Sequence, residues 1–245
     1  MKEKRYYYNG NLKVESKIIL EGEEFHHLAN VMRSKTGENI CLFNGDGNFY
    51  FGKITQINKK NAEICIENCK ISENEPKINL AVYQALAKGD KLSLIMQKIT
   101  EIGASELVLF ESEFCDVKSN TQKQERMDSI SVSAAKQCGR ATIVQTRGIL
   151  KIADIAKEIK NFDAFYIAYE AEDGKTLADE IIKNKNRLKR VAIMVGAEGG
   201  FSAKEIELLK NNGAIIVSLG KRILRTETAA IVCSGLVSQI LESSL

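Results

Sequence analysis

The chain has 245 residues, of which 44% are hydrophobic and 27% are charged, and its formal net charge is +3. These values are close to those of an average soluble globular protein and exclude disordered, collagen-like and coiled-coil classes. The charge alone does not identify a partner, since nucleic-acid-binding domains usually have a pI above about 9. No apolar run reaches membrane-spanning length and no signal-peptide core is present, so we expect a soluble, cytoplasmic protein.

Six cysteines are scattered along the chain without the dense spacing of a secreted disulfide scaffold, so we expect reduced thiols. Cys65 and Cys69 are the closest pair, but their spacing differs from the C-x-x-C of zinc and redox sites. The two histidines, His26 and His27, are adjacent, and we interpret them as helix residues and not as catalytic bases. This set of ligands predicts no metal site.

Residues 1–72 carry the pattern of a small antiparallel β-barrel or sandwich. Short runs rich in Ile, Phe, Tyr and Cys are separated by turn signals at 44–47 and 58–61. Before these runs, the segment EGEEFHHLANVMRSKTGE has apolar residues at the spacing of one helix face. They are Phe25, Leu28, Val31 and Met32. We therefore expect a short helix that closes one end of the barrel.

The only proline, Pro76, lies in a polar stretch between two regions of different pattern, so we place a domain boundary there and a second domain at 77–245. The runs INLAVYQAL, ELVLFE, AFYIAY, VAIMVG and AIIVSLG alternate with longer amphipathic stretches, which is typical of an α/β domain with a mostly parallel sheet. Its first helix is expected to stop at Gly103, a favourable residue just beyond a helix end.

The glycine-rich loop 196–200 follows the run VAIMVG. Ser202 and Glu205 form a predicted capping box, which fixes the start of the next helix and leaves the loop at the carboxyl end of the strand, where α/β sheets bind ligands. Taken on its own, such a loop fits a tight strand-to-helix turn without a ligand about as well as it fits a binding loop. The loop matches neither a Walker A motif nor G-x-G-x-x-G, so we expect a nucleoside-like ligand held by backbone groups.

A second loop, 219–229, also follows a strand and leads into the last helix, so the two loops are expected to form one pocket. We predict Thr226 as the N-cap of that helix and Glu227 in its first turn, where a carboxylate favours the helix dipole. That structural role is at least as well supported as a catalytic one. Arg225 is a stronger catalytic candidate, because a fixed guanidinium stabilises developing negative charge on oxygen.

The segments MVGAEGGFS, LGKRILRTETA, KGDKLSLIMQKITEIGA and SAAKQCGR, with RYYY, HHLANVMRSKTGE and FNGDG near the start, together resemble the RsmE family of bacterial small-subunit (16S) ribosomal RNA uridine-N3 methyltransferases, within the SPOUT superfamily. The resemblance spans nearly the whole chain. It implies a PUA-like RNA-binding barrel, a trefoil-knotted α/β domain that binds S-adenosylmethionine, and a homodimer with the site near the interface.

With this resemblance, the two loops become the predicted cofactor site and Arg225 and Glu227 the predicted catalytic residues, Glu227 as proton acceptor. The predicted cofactor-binding residues are Gly196, Glu198, Gly199, Gly200, Phe201, Leu219, Gly220, Ile223, Leu224, Thr228 and Ala229. The RNA, a 16S rRNA within the small subunit, is expected to meet basic and aromatic side chains. These are Arg5, Tyr6, Tyr7, Arg33, Lys35, Lys118 and Arg140. For the tyrosines alone, packing within a first strand is the better-supported reading.

The chain departs from the family pattern at Ala197, where proline is usual, and at Gln145–Thr146, which replace a proline segment. Two other classes stay open on the residues alone: a nucleotide-binding oxidoreductase, which lacks its dinucleotide fingerprint here, and a non-catalytic RNA-binding ribosome assembly factor. Binding of S-adenosylmethionine separates both from a methyltransferase.

Overall fold

The computed structural model describes residues 4–116 and 122–243, without the side chains of residues 122–124. The described chain divides into two compact units. The first consists of residues up to Glu75 together with Ala135–Ile143, and the second of Pro76–Ala134 together with residues from Val144 onward. The division falls beside Pro76, but no pattern in the sequence signals that Ala135–Ile143 belongs to the first unit.

The first unit is built on a five-stranded sheet with the order β1-β3-β4-β5-β2. Its strands are β1 (Arg5–Tyr7), β2 (Lys17–Glu21), β3 (Asn39–Phe43), β4 (Asn48–Ile57) and β5 (Asn61–Ile71). The predicted turns connect β3 to β4 and β4 to β5. β1 pairs with β3 in parallel, whereas the other neighbours are antiparallel. The prediction of a wholly antiparallel sheet was therefore wrong for its first strand.

The short helix of this unit differs from the expected one. It runs as α1 (Gly22–His26) and continues as a π-helix over His27–Val31, where the Met32 N–H donates to the His27 carbonyl five residues earlier. Because a π-turn rotates less per residue than an α-turn, the 3.6-residue pattern does not hold across this segment. Two of the four predicted apolar residues are buried, but Val31 and Met32 are exposed.

The second unit contains a six-stranded sheet with the order β11-β9-β10-β6-β7-β8, in which every neighbouring pair is parallel. Its strands are β6 (Asn79–Ala85), β7 (Glu106–Glu111), β8 (Gln145–Lys151), β9 (Ala164–Ala168), β10 (Arg190–Val195) and β11 (Ile215–Val217). Five of these strands coincide with the predicted apolar runs. β8 was missed because it is half-buried along its length and carries no apolar run.

Helices cover both faces of this sheet. They are α2 (Lys91–Ile102), α3 (Gln122–Cys138), α4 (Ile152–Glu158), α5 (Leu177–Asn184), α6 (Ala203–Asn211) and α7 (Thr226–Glu242), with 3-10 turns at Ile159–Asn161 and Lys185–Arg187. One apolar cluster packs α2, α5 and α7 on one face, and a second packs α4 and α6 on the other. The α/β prediction is confirmed, whereas the trefoil knot stays a prediction.

Two predicted helix boundaries are confirmed. α2 is followed by Gly103 at φ +113°, a left-handed conformation that favours glycine. Ser202 and Glu205 form both hydrogen bonds of the capping box at the start of α6. These local signals fix where the loops of the second unit begin and end. No helix in the described part of the chain is both long and apolar enough to cross a bilayer.

Candidate active site

A cavity of about 420 Å³ opens at the carboxyl edge of the parallel sheet. Its walls are the loop after β10, the loop after β11 and the end of β9. The two loops singled out in the sequence therefore do line one cavity. A volume of this size suits a small-molecule ligand, and the carboxyl edge is where such sheets place their ligands.

Most of the predicted cofactor-binding residues line this cavity, and Arg225 lines it with them. They are Gly196, Glu198, Gly200, Phe201, Leu219, Gly220, Ile223, Leu224 and Ala229. Gly199 and Thr228 are not part of its wall. A Cβ on Gly199 would lie 2.7 Å from the Cβ of Phe114, so that glycine is needed for close packing against the loop after β7. Thr228 is exposed on α7.

The N-cap position of α7 is Arg225, so the prediction of Thr226 as N-cap was wrong by one residue. Thr226 is the first residue of the helix, and its hydroxyl links the two loops. The Thr226 hydroxyl donates to the Gly196 carbonyl at 2.6 Å and accepts from Gln84 Nε2 at 2.9 Å, and Gln84 is fully buried at the end of β6. Three segments distant in sequence are thus fixed by one hydroxyl.

Two glycines of the cavity wall have a backbone conformation that other residues rarely adopt. Gly200 has φ +70°, and a Cβ there would lie 2.8 Å from Glu170 Oε1. Gly220 has φ +101° with open space beside it. Ala197, which departs from the family pattern, accepts the Gly200 N–H through its carbonyl and packs into the same apolar cluster as Phe201. Alanine therefore supports the turn.

Lys91 is a cavity residue that the sequence did not reveal. It is the first residue of α2, and its Nζ lies 2.5 Å from Glu198 Oε1 and 3.9 Å from Glu227 Oε2. Burial by itself raises the pKa of Glu198. Hydrogen bonds from the Lys91 ammonium group and from the Lys88 backbone N–H outweigh this effect and hold that pKa below its usual value. Glu198 is therefore a carboxylate that anchors Lys91. The one feature of the sequence that could have identified Lys91 as a cavity residue is that α2 starts at the same sheet edge as the two loops.

Glu227 does not line the cavity. Its side chain is 14% exposed, and Oε2 is shielded from solvent with no hydrogen-bond partner in the described residues. The charged group nearest to that oxygen is Lys91 Nζ, at 3.9 Å. Lys91 lines the cavity and Glu227 does not, and the role of Glu227 as a proton acceptor stays a prediction.

Further wall residues were also missed. Ala168, Tyr169 and Glu170 come from the end of β9, and Ser218, Lys221 and Arg222 from the second loop. The rule that ligands bind at the carboxyl edge could have identified the β9 residues, because AFYIAY was recognised as a strand. Across residues 4–116 and 122–243, no cluster of three His, Cys, Asp or Glu side chains is placed to hold a metal ion.

The structure corrects two predicted RNA contacts. Tyr6 is completely buried in the core of the first unit, so its ring is not available for stacking on a base. Arg140 is 5% exposed, and its Nε lies 3.1 Å from Glu75 Oε2. Both side chains thus have structural roles inside this unit.

The other predicted RNA contacts vary in exposure. Arg33 and Lys35 are exposed. Arg5 is half-buried, with its guanidinium 5.3 Å from the centre of the Phe49 ring, and the half-buried Tyr7 ring meets Phe43 edge-on. Lys118 lies outside the described residues.

Comparisons with known proteins agree with this architecture. The RNA methyltransferase domain family matches residues 73–238, and the RNA methyltransferase PUA domain family matches residues 20–67. The chain is similar to the Ribosomal RNA small subunit methyltransferase E of Bacillus subtilis, with 30% identity over 89% of this chain and 88% of that protein. The Rickettsia conorii protein of the same name is 31% identical over 94% of this chain and 93% of its own length.

A solved structure is similar over its whole length. The Ribosomal RNA small subunit methyltransferase E from Neisseria gonorrhoeae, crystallised bound to S-adenosyl methionine, has a TM-score of 0.87 and 28% identity, covering 97% of this chain and 98% of that chain. Both units described above therefore have counterparts in one protein.

Proposed function

Because the chain belongs to the ribosomal RNA small subunit methyltransferase E family, we propose that it transfers a methyl group from S-adenosylmethionine to N3 of a specific uridine in 16S rRNA. The observation that carries this proposal is the cavity at the carboxyl edge, which is walled by nine of the eleven predicted cofactor-binding residues. The matches to both an RNA methyltransferase domain and a PUA domain support an RNA substrate.

The cavity wall suits an adenosyl group. Among the described residues, the backbone N–H groups of Leu219 and Leu224 make no hydrogen bond although both residues line the cavity. Unpaired N–H groups of this kind can donate to the ring nitrogens of adenine or to the hydroxyl oxygens of ribose. Leu219, Leu224 and Ala229 add apolar surface. The bound cofactor supplies an electrophilic methyl group on a sulfonium sulfur.

The remaining task of the protein is to favour the uracil anion, since the N3 proton is only weakly acidic. Negative charge in that anion spreads onto the two carbonyl oxygens. Arg225 is exposed on the cavity wall and forms no ion pair with any described carboxylate, so its guanidinium is available to stabilise one of these oxygens. We assign it this role.

Lys91 adds a second positive charge to the same wall. Its ammonium group donates to Glu198 at 2.5 Å and lies 3.9 Å from Glu227 Oε2, which leaves at least one of its three N–H donors for a ligand. In this assignment Glu227 is a positioning residue that acts through Lys91.

Other parts of the proposal concern partners. The exposed Arg33 and Lys35 of the first unit are proposed to contact phosphates, together with the half-buried Arg5 and Tyr7.

We also propose a homodimer. It is supported by large apolar side chains that stay exposed on the packed helices α2 and α7, namely Leu94 at 41% and Val232 at 36%. A ribosomal substrate places the protein in the cytoplasm.

The decisive experiment is transfer of a labelled methyl group to small ribosomal subunits purified from cells that lack this gene, followed by primer extension. A methyl group at N3 blocks base pairing, so extension should stop at a single position. Calorimetry with S-adenosylhomocysteine tests the cavity independently. Absence of both transfer and binding heat would favour the alternative, a non-catalytic assembly factor.

Arg225→Ala tests the assignment of the guanidinium. Transfer should fall by about 100-fold or more, in line with the loss of one preorganised donor to a developing oxyanion, while the free energy of unfolding changes little because Arg225 is exposed. Single-turnover kinetics and urea denaturation measure the two effects. Turnover close to that of the wild type would remove the assignment.

A further inference from the structure

We propose that the loop segment 221–223 is an RNA-docking edge of the cavity, in which Lys221 and Arg222 bind phosphates next to the target nucleotide and Ile223 packs against an unstacked base. This inference rests on the proposed function, and it names a contact surface that the sequence did not predict. The three residues follow β11 in chain order and line the rim of the cavity that receives the methyl donor.

Three other cations at this sheet edge are paired with carboxylates, unlike the two cations of this segment. Lys88 is paired with Asp116 at 2.6 Å, and Arg126 with Asp90 at 2.7 Å. Lys91 is paired as described above. Lys221 and Arg222, in contrast, are exposed and form no ion pair or hydrogen bond with any residue in the described ranges.

Unpaired cations beside a ligand cavity produce a local positive potential, because nearby carboxylates do not neutralise them. The one carboxylate on the cavity wall without an ion-pair partner, Glu170, lies in the loop after β9, beside Gly200. Phosphates are the anions that RNA supplies at every nucleotide, and Lys and Arg are their usual partners. A backbone that passes over this rim therefore meets positive charge on the 221–222 side.

Ile223 supports RNA over another acidic partner. It exposes 87% of its surface, the largest exposed fraction of any large apolar residue among those described. An apolar side chain between cations fits a flipped or splayed nucleotide, whose base offers an apolar face and whose neighbours offer phosphates. The sequence predicted Ile223 as a cofactor contact, whereas its exposure leaves the side chain available to the substrate.

The position of this segment at the cavity also fits contacts to the nucleotide that is methylated. A base has to enter the cavity to reach the methyl donor, so the phosphates on either side of its nucleotide must stay at the rim. The rim on this side is the segment 221–223. It thus serves orientation of the target nucleotide, while other basic residues of the protein contribute affinity.

The test uses the full-length protein and small subunits that lack the modification, with affinity for the subunits measured by filter retention at several salt concentrations. The double variant Lys221→Gln/Arg222→Gln removes the two cations. Lys183→Gln/Lys185→Gln is the matched control, since both lysines are exposed where α5 ends and the 3-10 turn begins, and α5 leads away from the carboxyl edge. Calorimetry with S-adenosylhomocysteine is run on every variant.

We expect the first double variant to bind the subunits about tenfold more weakly at physiological salt and to lower the slope of log affinity against log salt by about 1.5, as for the loss of two phosphate contacts. The control should keep the slope of the wild type. Ile223→Ala should weaken subunit binding without changing the slope, because an apolar contact releases no counterions. Cofactor affinity should stay within about twofold of the wild type in all three variants.

Three results would overturn the inference. The first is a salt slope of the 221/222 variant equal to that of the control. The second is a parallel loss of cofactor affinity in that variant, which would make the two cations part of the cofactor site. The third is a loss of cofactor affinity in Ile223→Ala with normal subunit binding. Failure of the proposed function is a separate result, because it appears as absence of methyl transfer by the wild-type protein.

Discussion

Arg140 Nε lies 3.1 Å from Glu75 Oε2, in an ion pair whose side chains are 7% and 17% exposed. Glu75 also accepts the Ala141 N–H at 2.7 Å, the Thr142 N–H at 3.1 Å and the Thr142 hydroxyl. One carboxylate therefore anchors residues 140–142 of the segment 135–143 within the first unit. Arg140, expected to touch RNA, is instead a structural partner of that carboxylate.

The first prediction is that Arg140→Met lowers the free energy of unfolding by about 3 kcal/mol, because it leaves a largely buried carboxylate without its counter-ion. Urea denaturation followed by fluorescence or circular dichroism measures the change. Arg126→Met is the control, since it removes an exposed ion pair with Asp90, which contributes less than about 1 kcal/mol. Equal effects of the two substitutions would contradict the structural role of Arg140.

The second prediction concerns acid. Burial raises the pKa of Glu75, but the hydrogen bonds from Thr142, the Arg140 charge and two backbone N–H groups outweigh it, so the pKa lies below its ordinary value. A lowered pKa means that the folded state binds protons less readily than the unfolded state. This contribution to stability is present at neutral pH and is lost as the pH falls below the ordinary range of a glutamate. Between pH 7 and pH 3, the free energy of unfolding should therefore decrease less in Glu75→Gln than in the wild type, as measured by urea denaturation at each pH.

The third prediction tests the hydroxyl that joins the two cavity loops. Thr226→Val keeps the shape of the side chain but removes the hydrogen bonds to Gly196 and Gln84, and should cost about 1–3 kcal/mol of stability and weaken cofactor binding. Thermal unfolding and calorimetry measure both effects. Thr55→Val, which removes one exposed hydrogen bond to Glu63, is expected to change neither. Unchanged cofactor affinity in Thr226→Val would show that the loops keep their spacing by other contacts.

The fourth prediction separates the two roles of Glu227. Lys91→Met should reduce methyl transfer by about 100-fold, and Glu227→Gln by less, since Glu198 still holds the ammonium group. If Glu227 acts only through Lys91, adding Glu227→Gln to Lys91→Met should have no further effect in a double-mutant cycle. Additive losses would instead support Glu227 as the proton acceptor. Lys91→Arg should restore part of the activity.

The sequence alone determined the features that depend on neighbours within a few residues. The capping box at Ser202, the left-handed Gly103 and the parallel strands before both loops were all readable, because helix ends and buried strands are specified by local spacing. With the motifs around them, these signals also gave the family and most of the cavity wall.

Only the tertiary structure decided which polar side chains meet. Lys91 reaches Glu198 and Glu227 across more than a hundred residues of chain, and Tyr6 is buried although its sequence neighbours are not. Such pairings depend on the order of the strands in the sheet and on which polar groups are buried. A local pattern of residues specifies neither of these. Whether a charged side chain has a structural or a functional role therefore depends on how the tertiary structure packs around it.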